Sequence, residues 1–274
     1  MININMIIGK NFFINEMPKT GSTFVRNYFK QFDDVKLTIK HETISENKKI
    51  NLLNKKHKIG IIRNPYEWYL SYWKWSCLNK KKSPIYSDLT SSRIKLKRLK
   101  FNNNLIYYIF SQLTKNKIYL KSLFSDINSK NNFNKFLNIL LNSKNKNIIG
   151  SDYSFIPHKD LGYMTFIFFT QNVSQEDYKI LFNQKEKFGE LLKKLDNKIY
   201  TNFFFKTENL VVDIKKFLKK NKIKIKKFKN IKKNSASNNF DRNKLNFFYK
   251  QNIKLIEKKD SYLFEKFKYK KITK

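Results

Sequence analysis

The sequence predicts an α/β fold in which a central parallel β-sheet is flanked by helices. Three observations point there. Strand-sized apolar runs alternate with helix-period stretches through the first quarter of the chain. Each of these runs closes on turn-forming or polar residues. A glycine-bearing loop sits at the first strand-to-helix corner. Sequential strand–helix–strand order implies right-handed crossovers and hence parallel neighbours.

In chain order, Lys10–Asn15 (KNFFIN) reads as a buried strand ending at Glu16-Met17-Pro18. Phe24, Val25, Tyr28, Phe29 and Phe32 then recur at helical spacing, with Ser22 or Thr23 as the expected N-cap. Val35–Ile39 reads as a second strand running up to His41, and Thr43 to about Leu53 as a helix. Lys58–Ile62 (KIGII) is a third strand, closed by Arg63-Asn64-Pro65. Pro65 suits the first position of a new helix, because its missing N–H has no partner to lose there. That helix carries Trp68, Tyr72, Trp73 and Trp75, expected to be mostly core packing.

The chain is expected to form a single domain over residues 1–274, with residues 83–147 a helical insertion rich in Lys and Asn. Ser151–Asn172 reads as aromatic and irregular, Glu176–Leu195 as a helix, and Ile199–Phe205 as another buried strand. A helix from Glu208 to about Lys219, a lysine-rich connector over Asn221–Lys233, and closing helices at Asp241–Lys258 and Ser261–Phe267 complete the order.

A chain of 274 residues can build a core without staples, and 26 Phe and 15 Tyr argue against general disorder. Cys77 is the only cysteine, which excludes an internal disulfide framework and a cysteine-based zinc site, and it is expected to be structural. Met1–Lys10 lacks a basic segment followed by a long apolar one, and no run approaches the ~20 apolar residues of a membrane span. The expected protein is therefore cytoplasmic and soluble. The net charge is +37, from 58 Lys and Arg against 21 Asp and Glu. Such a charge suits an anionic partner. It also follows from a composition crowded with Lys, Asn, Ile and Phe, whose codons are rich in A and T, and the even spread of the charge fits that second origin.

The chemistry-bearing segment is Pro18-Lys19-Thr20-Gly21-Ser22-Thr23. Neither the dinucleotide fingerprint G-x-G-x-x-G nor the loop G-x-x-x-x-G-K-[ST] is present. Yet a glycine between strand and helix lets the backbone approach an anion, and helix-start amides point at it. Ser22 and Thr23 add hydroxyl donors, and Lys19 adds a mobile cation.

This hexapeptide resembles the 5′-phosphosulfate loop of the sulfotransferases that use 3′-phosphoadenosine 5′-phosphosulfate (PAPS). Arg63-Asn64-Pro65-Tyr66-Glu67-Trp68-Tyr69-Leu70-Ser71-Tyr72 resembles their second signature, R-N-P-x-[DE]-x-x-x-S-x-[YW], which binds the 3′-phosphate. Phe205-Lys206-Thr207-Glu208-Asn209-Leu210 is similar, more weakly, to a late strand-to-helix corner of the family, and Asn234-Ser235 with Lys268-Tyr269 to its C-terminal segment. The close resemblance spans about residues 10–75.

The resemblance implies a three-layer P-loop-like fold and in-line transfer of a sulfuryl group from PAPS to an acceptor hydroxyl, without a metal. It places Lys19, Thr20, Gly21, Ser22, Thr23, Arg63 and Ser71 at the cofactor, with Lys19 stabilising the departing bisphosphate. For the general base, His41 is preferred because it ends the second expected strand, at the carboxyl edge where α/β sites gather, with Glu42 next. His158 is a further alternative within the aromatic Tyr153–Thr170 stretch, whereas His57 should lie at the far edge. The acceptor is expected to be a hydroxyl on a carbohydrate, lipid or small metabolite, with a carbohydrate preferred and nucleic acid not expected. Two other readings stay open. One is a nucleotide-dependent phosphotransferase with a degenerate phosphate loop; the other is a non-enzymatic basic protein that binds nucleic acid or another polyanion.

Overall fold

The computed structural model describes residues 6–37, 54–92, 103–183, 186–223 and 242–273. It is a mixed α/β structure with two compact units: residues 1–64, 167–178 and 193–241 form one, and residues 65–166, 179–192 and 242–274 the other. The first holds the sheet; the described part of the second is helical.

In the sheet unit, strands β1 (Met6–Ile8), β2 (Phe12–Asn15), β3 (Lys36–Leu37), β4 (His57–Ile62) and β5 (Phe203–Lys206) are ordered β3-β1-β2-β4-β5. β2 pairs with β4, and β4 with β5, in parallel, whereas β1 is antiparallel to both β2 and β3. Four of the five strands therefore run one way.

The expected central parallel sheet is thus mostly parallel, with β1 the exception. Met6–Ile8 is a strand the sequence reading did not assign, and the hairpin it makes with β2 pushes β3 to the edge. Two antiparallel strands need only a tight turn, which the chain supplies over residues 9–11, where Gly9 N donates to Phe12 O at 2.9 Å. The expected strand Val35–Ile39 is reduced to the edge pair Lys36–Leu37 within the described residues.

β2 is buried on both faces, as a continuous apolar run should be. Phe12 and Ile14 face a cluster built from helix α1 (Ser22–Phe29) and helix α10 (Leu210–Lys220), with the Phe12 ring 5.4 Å from Phe29 and 5.7 Å from Phe217. Alternation sends Phe13 the other way, towards Met6 and Tyr200. On that second face, Phe168 lies 5.8 Å from Phe204 of β5. Gly60 of β4 is demanded by packing, since a Cβ there would lie 2.5 Å from the Phe204 ring.

The helical unit is organised around α2 (Pro65–Leu78), which begins on Pro65 as expected and buries Trp68, Tyr69, Tyr72 and Trp73. Among the described residues of 83–147 there are four α-helices: α3 (Pro84–Thr90), α4 (Asn103–Thr114), α5 (Lys117–Ser122) and α6 (Lys130–Leu141). Ser83, Asn116 and Ser129 cap α3, α5 and α6, each side chain accepting from the N–H three residues on. The closing helices are α11 (Arg242–Leu245), α12 (Lys250–Lys259) and α13 (Ser261–Phe267).

Asp260, at the joint of α12 and α13, is fully buried. It accepts from the Tyr69 hydroxyl at 2.7 Å and from the Thr165 amide and hydroxyl, both at 2.8 Å. Burial pushes its carboxyl up to about 6 against the pull of these donors.

Helix α7 (Tyr163–Asn172) corrects the expectation that Ser151–Asn172 is irregular. Its sequence YMTFIFFTQN is buried nearly all round, so it lacks the polar face that reveals a helix in a sequence. The expected single helix Glu176–Leu195 is instead α8 (Gln175–Tyr178), a 3₁₀ turn over Lys179–Phe182, and α9 (Phe188–Asn197). The expected helix from Thr43 and nearly all of the connector after Asn221 fall outside the described residues. Among the described residues no helix is long and apolar enough to cross a membrane.

Candidate anion site at the carboxyl edge of the sheet

The parallel register aligns three strand ends. Asn15 of β2 stands opposite Gly60 of β4, and Ile62 of β4 opposite Lys206 of β5. The segments leaving these strands begin at Glu16, Arg63 and Thr207, so all three start at one edge of the sheet unit. Edges of this kind hold ligands in open α/β sheets.

The first segment, 16–21, is a tight crown. Thr20 is fully buried, and its hydroxyl donates to the Met17 carbonyl at 2.7 Å. Lys19 and Gly21 both have left-handed backbones, with φ of 65° and 87°. At Lys19 this conformation costs about 1 kcal/mol that a glycine would not incur. At Gly21 two constraints coincide, since a Cβ would also lie 3.1 Å from Leu210 Cδ2.

Gly21 is the N-cap of α1, and no side chain caps that helix. The expected caps, Ser22 and Thr23, are instead its first two residues. Ser22 is half-buried and Thr23 exposed. A helix start without a side-chain cap presents amide donors and the positive end of the dipole to an external acceptor.

The second and third segments fasten this crown. Arg63, half-buried, donates from Nη1 to the Lys19 carbonyl at 3.3 Å. The Thr207 hydroxyl lies 2.7 Å from the Thr20 carbonyl and 3.0 Å from the Ile62 carbonyl. Glu208 Oε1 accepts from the Asn64 amide at 2.6 Å. The two sequence motifs and the Thr207–Glu208 corner thus meet in one hydrogen-bonded cluster.

Besides Glu208, a second acidic group lies beside the crown. Glu16 is buried at its base, and Arg26 of α1 donates from Nε to Glu16 Oε2 at 2.6 Å. That pair offsets the carboxylate charge next to a loop suited to anions. Arg26, Thr207 and Glu208 carry parts of this site that sequence reasoning left unassigned. The strand-to-helix corner Phe205–Leu210 was a signal for the last two; Arg26, three residues beyond Thr23, offered none beyond its place on the helix.

The remaining candidates are elsewhere. Ser71 is half-buried on α2, in the helical unit. His41 and Glu42 lie outside the described residues, as does Asn234-Ser235. His57 opens β4, at the opposite end from Arg63, and burial followed by Lys56 and Lys220 lowers its pKa. His158 belongs to the helical unit, with Nε2 2.9 Å from the Asn183 carbonyl and its ring stacked on Phe188. Cys77 is half-buried, and burial pushes its thiol up to about 11, which suits a structural thiol better than a reactive one. Among the described residues no group of three or more His, Cys, Asp or Glu is placed to hold a metal ion.

No family model, curated protein or solved structure matches the chain.

Proposed function

We propose that this protein is a sulfotransferase that moves a sulfuryl group from PAPS to an acceptor hydroxyl, with a carbohydrate the preferred acceptor. The observation that carries this reading is the bond from Arg63 Nη1 to the Lys19 carbonyl, because it joins the two motifs that resemble the donor-binding signatures. The residues present suit a bisphosphorylated nucleotide in three respects. α1 has no side-chain cap, Gly21 removes side-chain bulk at the helix start, and cations flank the crown at Lys19 and Arg63.

PAPS supplies the sulfuryl group and a bisphosphate leaving group. In this reading the amides at the start of α1 with Ser22 and Thr23 bind the 5′-side anion, Thr20, buried with its hydroxyl on the Met17 carbonyl, shapes the loop beneath it, and Arg63 binds the 3′-phosphate. Lys19 offers its ammonium to the oxygen that gains charge as the S–O bond breaks, a contribution typically worth ~10²–10³ in rate. The acceptor oxygen forms the new bond to sulfur and releases its proton to a base, assigned to His41 or else Glu42.

Thermal stability with 3′-phosphoadenosine 5′-phosphate, against ATP with Mg²⁺, tests the reading. A selective rise is expected, worth about 2.7 kcal/mol at 100 times the dissociation constant. An equal rise with ATP would favour a phosphotransferase. No rise with either, together with salt-sensitive binding of oligonucleotides, would favour a polyanion-binding protein.

A further inference from the structure

Helix α4 is inside out. Its inward face carries Tyr108, Gln112 and Lys115, all buried. Gln112 Nε2 donates to the Asn147 and Ile148 carbonyls at 2.7 and 3.0 Å, and Lys115 Nζ donates to the Asp88 carbonyl at 3.0 Å and to Gln112 Oε1 at 2.8 Å. The opposite face carries Ile106, Tyr107, Phe110 and Leu113, which are 62–65% exposed. These positions share one side of a 3.6-residue helix. On the next helix, α5, Ile118 and Tyr119 are also exposed, at 84% and 40%, while Leu120 turns inward. Six of the ten most exposed large apolar side chains among the described residues thus lie within 14 residues, 106–119. Scattered exposed apolar residues are ordinary; a contiguous row facing away from the core calls for an occupant.

Charge selects that occupant. Between Asp88 and Asp126 the chain has eight Lys or Arg and no Asp or Glu; of these, Lys115 is buried, and Lys117 and Lys121 are the exposed ones among the described residues. Lys117 and Lys121, both exposed, flank Ile118 and Tyr119 on α5 itself. A second copy would bring the same excess of positive charge to the contact, within a chain of net charge +37. An anionic surface is attracted instead. The row also projects: side chains this exposed stand proud of the surface, and hydrocarbon accepts such a row without a matching groove.

We propose that the α4–α5 face docks on an anionic lipid surface, lying in the plane of the membrane with Ile106, Phe110, Leu113 and Ile118 in the headgroup–acyl boundary and Lys117 and Lys121 at the headgroups. An interfacial amphipathic helix works in this way, combining apolar burial with attraction to anionic lipid. The inference is independent of the transfer reaction proposed above.

The test is sedimentation of the full chain with vesicles of phosphatidylcholine alone, and with about 30 mol% phosphatidylglycerol added. The variant Phe110→Ser/Leu113→Ser/Ile118→Ser keeps every charge and alters only exposed side chains. The wild type is expected to partition at least about tenfold more strongly onto the anionic vesicles, and the variant to lose at least about tenfold of that partition with an unchanged melting temperature. If the variant binds like the wild type, charge alone drives binding and the proposal falls, leaving an acidic protein or a second copy as occupant. Sedimentation velocity identifies the second copy, as a wild-type dimer that the variant converts to monomer. Failure of the wild type to bind anionic vesicles overturns the proposal outright.

Discussion

Arg63 Nη1 reaches the carbonyl of Lys19 at 3.3 Å, so a side chain at the end of β4 holds the backbone of the loop that follows β2. The acceptor is the peptide oxygen of a residue with a left-handed backbone. Arg63 therefore acts on the shape of the crown as well as being the proposed grip on the 3′-phosphate. Its planar fork can serve two acceptors at once, which a lysine ammonium cannot reproduce in the same geometry.

Arg63→Ala is expected to weaken binding of 3′-phosphoadenosine 5′-phosphate by about 10- to 100-fold, the worth of hydrogen bonds to a charged group. Arg63→Lys should recover less than half of that loss in free energy. Calorimetric titration checks both, and an unchanged dissociation constant in the alanine variant would separate the second motif from the nucleotide.

Lys19 separates conformation from chemistry. Lys19→Ala should leave the melt near the wild type and lower turnover by ~10²–10³. Lys19→Gly should be equally slow but more stable than Lys19→Ala by about 1 kcal/mol, because glycine holds a left-handed backbone without a clash. Urea titration with steady-state rates tests the pair; near-normal turnover in either variant removes the ammonium from the reaction.

Gly21→Ala places a Cβ on a backbone at φ 87° and 3.1 Å from Leu210. A loss of about 1–3 kcal/mol in stability is expected, with weaker nucleotide binding. Gly21→Ala/Leu210→Ala removes the contact but not the backbone strain. If the second change restores nucleotide affinity to the wild-type value, contact with Leu210 and not the backbone conformation is what Gly21 avoids.

Arg26→Ala leaves the Glu16 carboxylate buried without its guanidinium, and a loss of about 3 kcal/mol or more is expected. Arg26→Ala/Glu16→Gln should recover much of it, since the buried charge goes with the second change. A double variant no more stable than the single one would show that packing of the arginine stem, and not charge, is what matters.

Asp260 gives the helical unit a pH dependence. Its carboxyl sits at about 6 when folded, above the ordinary value near 4, so the folded chain binds more protons between those limits. Asp260 should therefore contribute most to stability when protonated and progressively less as pH rises from about 4 to 6, a span on the order of 3 kcal/mol at most. Asp260→Asn should flatten that component. Urea titrations of both proteins at several pH values measure it, and parallel pH profiles would exclude Asp260 as its source.

Patterns confined to neighbouring residues were legible in the sequence: the burial of β2 and β4, the proline that opens α2, and the glycine between β2 and α1. Strand order was not, because Met6–Ile8 is a short apolar run whose pairing depends on which edge it meets. Helix α7 escaped for a related reason: buried on nearly every side, it shows no period to read. At the site, the loop and Arg63 were read from their motifs, whereas Arg26 could be assigned only after Glu16 was seen to lie against it.

By itself the sequence determined an α/β chain, a glycine-bearing loop at a strand end, a basic second motif 44 residues after Lys19, and a strongly positive charge. Tertiary structure alone decided that these motifs share one edge, that Thr207 and Arg63 fasten the same crown, that β1 is reversed, and that α4 turns its apolar face outward. The physical reason is range. Propensity, caps and turns act over a few residues, but register, burial and charge pairing depend on distant segments that only packing brings together.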